Sequence, residues 1–89
     1  MSTHASHPEI IKRLKRAEGH LKSIIAMLEE GRACLDIAQQ LQAVESAVSN
    51  AKKTLVHDHI DHCLEQAVYD STQSADDTIR EFKAITKYL

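Results

Sequence analysis

The chain has no tryptophan, one proline, two glycines, and only two tyrosines and one phenylalanine among its 89 residues. So little aromatic and turn-forming material disfavours a sheet protein, while abundant Ala, Leu, Ile, Lys, Glu and Gln favour helix throughout. The expected fold class is all-α. No apolar run approaches 18 residues and no signal-peptide pattern opens the chain, which argues against a membrane span and for a cytoplasmic protein. Cysteine is scarce as well: Cys34 and Cys63 stand alone, and in a reducing cytoplasm they are thiols available for metals rather than a structural disulfide. Also missing are a Glu-x-x-His pair, a nucleophile–base pattern and a phosphate-binding glycine loop, so an enzyme is not expected. At this length the sequence predicts one domain, residues 1–89, with a core so small that a second copy would supply missing burial.

What is present is apolar periodicity. After a polar start, residues 1–7, expected to be flexible and holding His4 and His7, Ser6-His7-Pro8 reads as a helix start with proline in its first turn. Ile10, Leu14, Ala17, Leu21, Ile24 and Leu28 then step by 4, 3, 4, 3, 4, the spacing of a helix packed nearly parallel to another. Gly31 ends that helix. A second, long helix is predicted from about Ala33 to Val68, with Cys34, Ile37, Leu41, Val44, Val48, Ala51 and Leu55 along its apolar line. A polar stretch from Tyr69 to Asp77 precedes a short third helix striped by Ile79, Phe82, Ile85 and Leu89.

The far end of the long helix is dense in potential ligands: His57, Asp58, His59, Asp61, His62 and Cys63. His59 and Cys63 are four residues apart, which places both side chains on one helix face about 6 Å from each other, close enough to share an ion. Cys34 lies 25 residues before His59, roughly 38 Å along the same helix. With neither Gly nor Pro between Cys34 and Glu65, the simplest union of the three is across an antiparallel dimer. Two thiolates and an imidazole suit copper(I), and they suit nickel(II) or zinc(II) when a further nitrogen or oxygen joins. The N-terminal segment is the expected source of that donor, and His62 is the weakest of the ligand candidates.

Three stretches in combination are specific: Arg13-Leu14-Lys15-Arg16-Ala17-Glu18-Gly19-His20-Leu21, then Cys34-Leu35-Asp36-Ile37-Ala38-Gln39-Gln40-Leu41-Gln42-Ala43-Val44, then His59 followed by Cys63. Over nearly its whole length the chain resembles the copper-, nickel/cobalt- and formaldehyde-sensing operon repressors of the CsoR/RcnR family. The resemblance implies a three-helix protomer assembled as a dimer of dimers, holding operator DNA and releasing it when an inducer occupies a site between subunits. Carried over by position, Cys34, His59 and Cys63 fall on the sensing positions. The opening Met1-Ser2-Thr3-His4-Ala5-Ser6-His7 looks like the His-bearing start of nickel/cobalt sensors, which makes His4 and His7 candidate ligands and favours nickel(II) or cobalt(II) over copper(I) as inducer, with zinc(II) a further candidate. A formaldehyde sensor of the same family pairs its cysteine with an N-terminal proline, and Ser2 stands against that. A persulfide or disulfide switch between Cys34 and Cys63 would leave His59 without a purpose.

The net charge of −2 does not announce a nucleic-acid partner, and no helix-turn-helix pattern is present. Charge distribution is more informative. Lys12, Arg13, Lys15 and Arg16 cluster on the first helix, Lys52 and Lys53 extend the basic surface, and the last 29 residues hold six acidic residues against three basic ones. Repeated in a homotetramer, the cluster would neutralise phosphates of operator duplex DNA. Where many members of the resembled family carry an Arg after Ala43-Val44, this chain has Glu45; either Lys22, Lys52 and Lys53 rebalance the basic patch or the operator geometry differs from that of better-known members. His20 is set apart from the ligands, as a residue of the tetramer or the DNA surface.

Overall fold

The computed structural model describes residues 5–69 and 75–89. It holds three helices, α1 (His7–Glu29), α2 (Cys34–Tyr69) and α3 (Ala75–Thr86), and no strand among the described residues. The all-α expectation holds, and α1 and α2 begin and end within a residue or so of where apolar periodicity puts them.

The chain divides into two compact units. One is Pro8–Lys52, the body of α1 with the first half of α2; the other joins the described part of Met1–His7 to Lys53–Leu89. In the first unit Ala17, Ile24, Ile37 and Val44 form the core, with Met27 packed on it. These are alternate members of the two predicted lines, each pair seven residues apart. The intervening members Leu14, Leu21 and Leu28 on α1, and Leu41 and Val48 on α2, stay exposed, so each helix keeps a second apolar stripe that its own chain leaves uncovered.

The reversal between α1 and α2 is built by Gly31 at φ 70°. Its N–H donates to the Leu28 carbonyl at 3.1 Å, and the Arg32 N–H donates to the Met27 carbonyl at 2.9 Å. These are the paired bonds that close a helix on a left-handed glycine, satisfying carbonyls left open by the last turn. His20 and Gln40 meet through their side chains and tie α1 to α2.

In the second unit Val56, Cys63 and Thr78 are buried. The third helix starts earlier than the sequence predicts. Asp76 and Asp77 lie in its first turn instead of in the preceding linker, where carboxylates are favoured by the positive end of the helix dipole. Leu89 falls beyond α3 and is exposed, as are Ile79 and Phe82, so the predicted stripe is only partly covered through Ile85.

Candidate metal centre

Two helices bring three donors together. His59 and Cys63 stand one turn apart on α2, and Glu81 stands in the middle of α3. One ligand atom from each, an imidazole nitrogen, the Cys63 sulfur and a Glu81 carboxylate oxygen, lie within 4.8 Å of one another. Cys63 is 1 % exposed, His59 is half-buried and Glu81 faces solvent. The Cys63 thiol donates to Glu81 Oε2 across 3.9 Å.

Two hollows flank the trio. An apolar one of about 190 Å³ is lined by Cys63, Leu64, Thr78, Ile79 and Phe82. Another, of about 250 Å³, is lined by His59, Glu81, Ala84, Ile85 and Tyr88. Cys63 thus borders the apolar hollow, and His59 and Glu81 border the other.

Burial pushes the Cys63 thiol above its ordinary pKa, and the negative charge of Glu81 and the hydrogen bond to it push in the same direction. A raised folded-state pKa means that folding favours the neutral thiol. This contribution to stability is fully present below the unfolded pKa and is lost as pH rises through the folded one. The thiolate is the metal-binding form, so a metal must displace this proton and affinity should climb with pH up to the raised value. In a Cys34→Ser background, Glu81→Gln should move the midpoint of Cys63 alkylation to lower pH, yet leave it above an exposed thiol's, because burial, the largest cause, remains. An unchanged midpoint would show that Glu81 does not act on the thiol.

The other predicted ligands are placed differently. Cys34 is exposed at the first residue of α2 and is outside the trio. His7 opens α1, and His62 is half-buried on α2; neither joins the trio. His4 lies outside the described residues. Glu81 belongs to no motif of the sequence; it lies three residues after Thr78 and four before Ile85 on α3, and only the fold sets it against Cys63.

The predicted basic residues Lys12, Arg13, Lys15, Arg16, Lys52 and Lys53 are all exposed. Within the first unit Arg13 and Arg16 line a cleft of about 220 Å³ with Ala17, His20, Ala47 and Asn50. Arg13 also pairs with Glu9 at 3.6 Å, an exposed pair one turn apart that contributes little energy.

Fold and donor set together define a small all-helical protein with a candidate centre for a transition metal, and comparison with known proteins makes the class specific. The family model described as metal-sensitive transcriptional repressor matches residues 6–88. Residues of this chain are 42% identical over 65 positions to the copper-sensing transcriptional repressor CsoR of Mycobacterium ulcerans, a match covering 73% of this chain and 56% of that protein, little more than half its length. Identity to the copper-sensing transcriptional repressor RicR of Mycobacterium tuberculosis is 37%, covering 82% of this chain and 76% of the relative. For the copper-sensing transcriptional repressor CsoR of Bacillus subtilis it is 38%, covering 89% and 80%. The solved structure of the nickel-responsive transcriptional regulator InrS superposes with a TM-score of 0.82 over 100% of this chain and 99% of that one, at 24% identity, a likeness of fold. The chain belongs to the metal-sensitive transcriptional repressors of the CsoR/RcnR family, a family of repressors and not of enzymes. Among the described residues no helix is long and apolar enough to cross a membrane.

Proposed function

We propose that this protein is a cytoplasmic repressor that holds operator DNA without metal and releases it on binding nickel(II) or cobalt(II), freeing metal-efflux genes. The observation that carries this reading is the convergence of His59 nitrogen, Cys63 sulfur and Glu81 oxygen within 4.8 Å. Imidazole and thiolate suit several late transition metals, whereas a carboxylate is a hard donor suited to divalent ions rather than to copper(I).

A second copy of the chain completes the site in this reading. The stripes Leu14, Leu21, Leu28 and Leu41, Val48 are exposed, and covering them with an antiparallel copy brings the partner's Cys34 toward His59 and Cys63. Pairs of such dimers give the tetramer. Lys12, Arg13, Lys15 and Arg16, helped by Lys52 and Lys53, meet backbone phosphates, so affinity for DNA should fall steeply with salt. His4, His7 and His62 remain candidates for completing the coordination. Linkage of the two sites requires a coupling of about 1–3 kcal/mol, or roughly 5- to 150-fold in DNA affinity.

Copper(I) is the second reading, favoured by the likeness to three relatives that are copper-sensing repressors. Titrating the reduced, metal-free protein on its own promoter fragment with nickel(II), cobalt(II), copper(I) and zinc(II), followed by fluorescence anisotropy at fixed salt, separates the readings. Release by nickel(II) or cobalt(II) supports the first, release by copper(I) alone supports the second, and release by none brings forward a thiol-reactive inducer such as formaldehyde or a persulfide. Cys34→Ala should bind the fragment as tightly as the parent yet stay bound when the inducing metal is added; a variant that still releases would remove Cys34 from the mechanism.

A further inference from the structure

Ser6 lies immediately before α1, and its hydroxyl donates to Asp58 Oδ2 at 2.7 Å across 52 residues of sequence, in a partly buried setting. A serine hydroxyl has a single proton to donate, and here it is given to α2. Asp58 is the residue immediately before the donor His59. The unit boundaries agree with this tie: the described residues up to His7 group with Lys53–Leu89, which contains all three donors, while the rest of α1 groups with the first half of α2. Consecutive Cα atoms are about 3.8 Å apart, so anchoring Ser6 fixes His7, one step along the chain, in the neighbourhood of Asp58 and His59.

Resting on the nickel/cobalt reading above, we propose that Ser6 and Asp58 are a positioning pair that determines metal choice: they hold the segment bearing His7 beside the His59–Cys63–Glu81 group, favouring divalent ions that take additional nitrogen donors over copper(I). Neither residue need touch the ion. Copper(I) is content with few, soft donors, whereas nickel(II) and cobalt(II) bind with more ligands and gain from a nitrogen source held near the site. An untethered segment must be ordered at the moment of binding, and that cost falls only on the ions that use it. Partners that orient ligands in this way typically contribute 10- to 100-fold in metal affinity.

Ser6→Ala removes the bond without altering any charge. Nickel(II) and copper(I) affinities of the full chain, measured by competition with chelators, should diverge in this variant. Nickel(II) affinity is expected to fall at least about tenfold, as for other ligand-orienting contacts, with copper(I) affinity essentially unmoved. Ser6→Thr, which keeps the hydroxyl, should restore nickel(II) binding. The absorption bands of the cobalt(II)-loaded protein should change in Ser6→Ala and return in Ser6→Thr, a readout of coordination that a loss of general stability would not produce. Equal losses for both metals, or no loss for either, overturn the pair's selective role while leaving the nickel/cobalt reading intact. A parent chain that fails to take up nickel(II) or cobalt(II) overturns that reading, and this inference with it.

Discussion

Cys63→Ser is expected to lower metal affinity roughly 100-fold and to leave a protein that binds its promoter but no longer lets go. Tetrahedral structural zinc sites bind with about 10–16 kcal/mol, so one donor of four contributes about 3 kcal/mol, or roughly two powers of ten in affinity. Serine is close to the thiol in shape, so the buried position on α2 stays nearly filled, although its shorter side chain falls short of Glu81, whose carboxylate lies 3.9 Å from the Cys63 sulfur. It does not become a thiolate. Chelator competition with nickel(II) and copper(I) reads the loss, and promoter anisotropy reads the retained DNA affinity. An affinity within threefold of the parent would remove Cys63 from the site.

Ile24→Ala should have the largest effect on stability, a loss of about 3 kcal/mol within the 2–5 kcal/mol usual for such truncations. Ile24 is 2 % exposed and sits amid Ala17, Ile37 and Val44 in a core with few members to spare. Domains of this size are stable by only about 5–15 kcal/mol, so the shift in a urea unfolding curve followed by helical circular dichroism should be plain. Leu21, 42 % exposed on the same helix, provides the contrast. If a second copy covers it, Leu21→Ala should weaken the protein more at high than at low concentration, whereas the cost of Ile24→Ala should persist across the whole range. A loss below about 1 kcal/mol for Ile24→Ala would contradict the core described above.

The helices were legible because their signals are local. The alternating 4 and 3 steps from Ile10 to Leu28, the glycine at position 31 and the unbroken stretch after Cys34 each act within a turn or two, and α1 and α2 follow them closely. The same periodicity did not say which half of each line the chain would bury; Ala17 and Ile24 are covered while Leu14 and Leu21 are not, a distinction that depends on how α1 and α2 face each other. His59 and Cys63 were legible for the same local reason, since four residues on a helix fix their proximity. Glu81 was not, because it is 18 residues from Cys63 on a separate helix, and no spacing rule spans the connection between them. The Ser6–Asp58 bond is further still from anything that pattern alone reveals. The start of α3 was misplaced because Asp76 and Asp77 resemble linker residues by polarity, yet are favoured in a first helical turn by their charge.

The inserted arrangement of the two units also sets an order of assembly. Pro8–Lys52 is continuous, and its two helical segments are joined by the short turn at Gly31, so the contacts of Ala17 and Ile24 with Ile37 and Val44 are close in sequence, the kind that form fastest. The other unit is split by that insertion. Ser6 must find Asp58 across 52 residues, a closure with a larger entropic cost than the hairpin's. Translation runs in the same direction, because α1 and the first half of α2 are made before Glu81. The arginine-lined cleft therefore draws only on the part of the chain made first, whereas the pairing of Cys63 with Glu81 waits for residues made near the end.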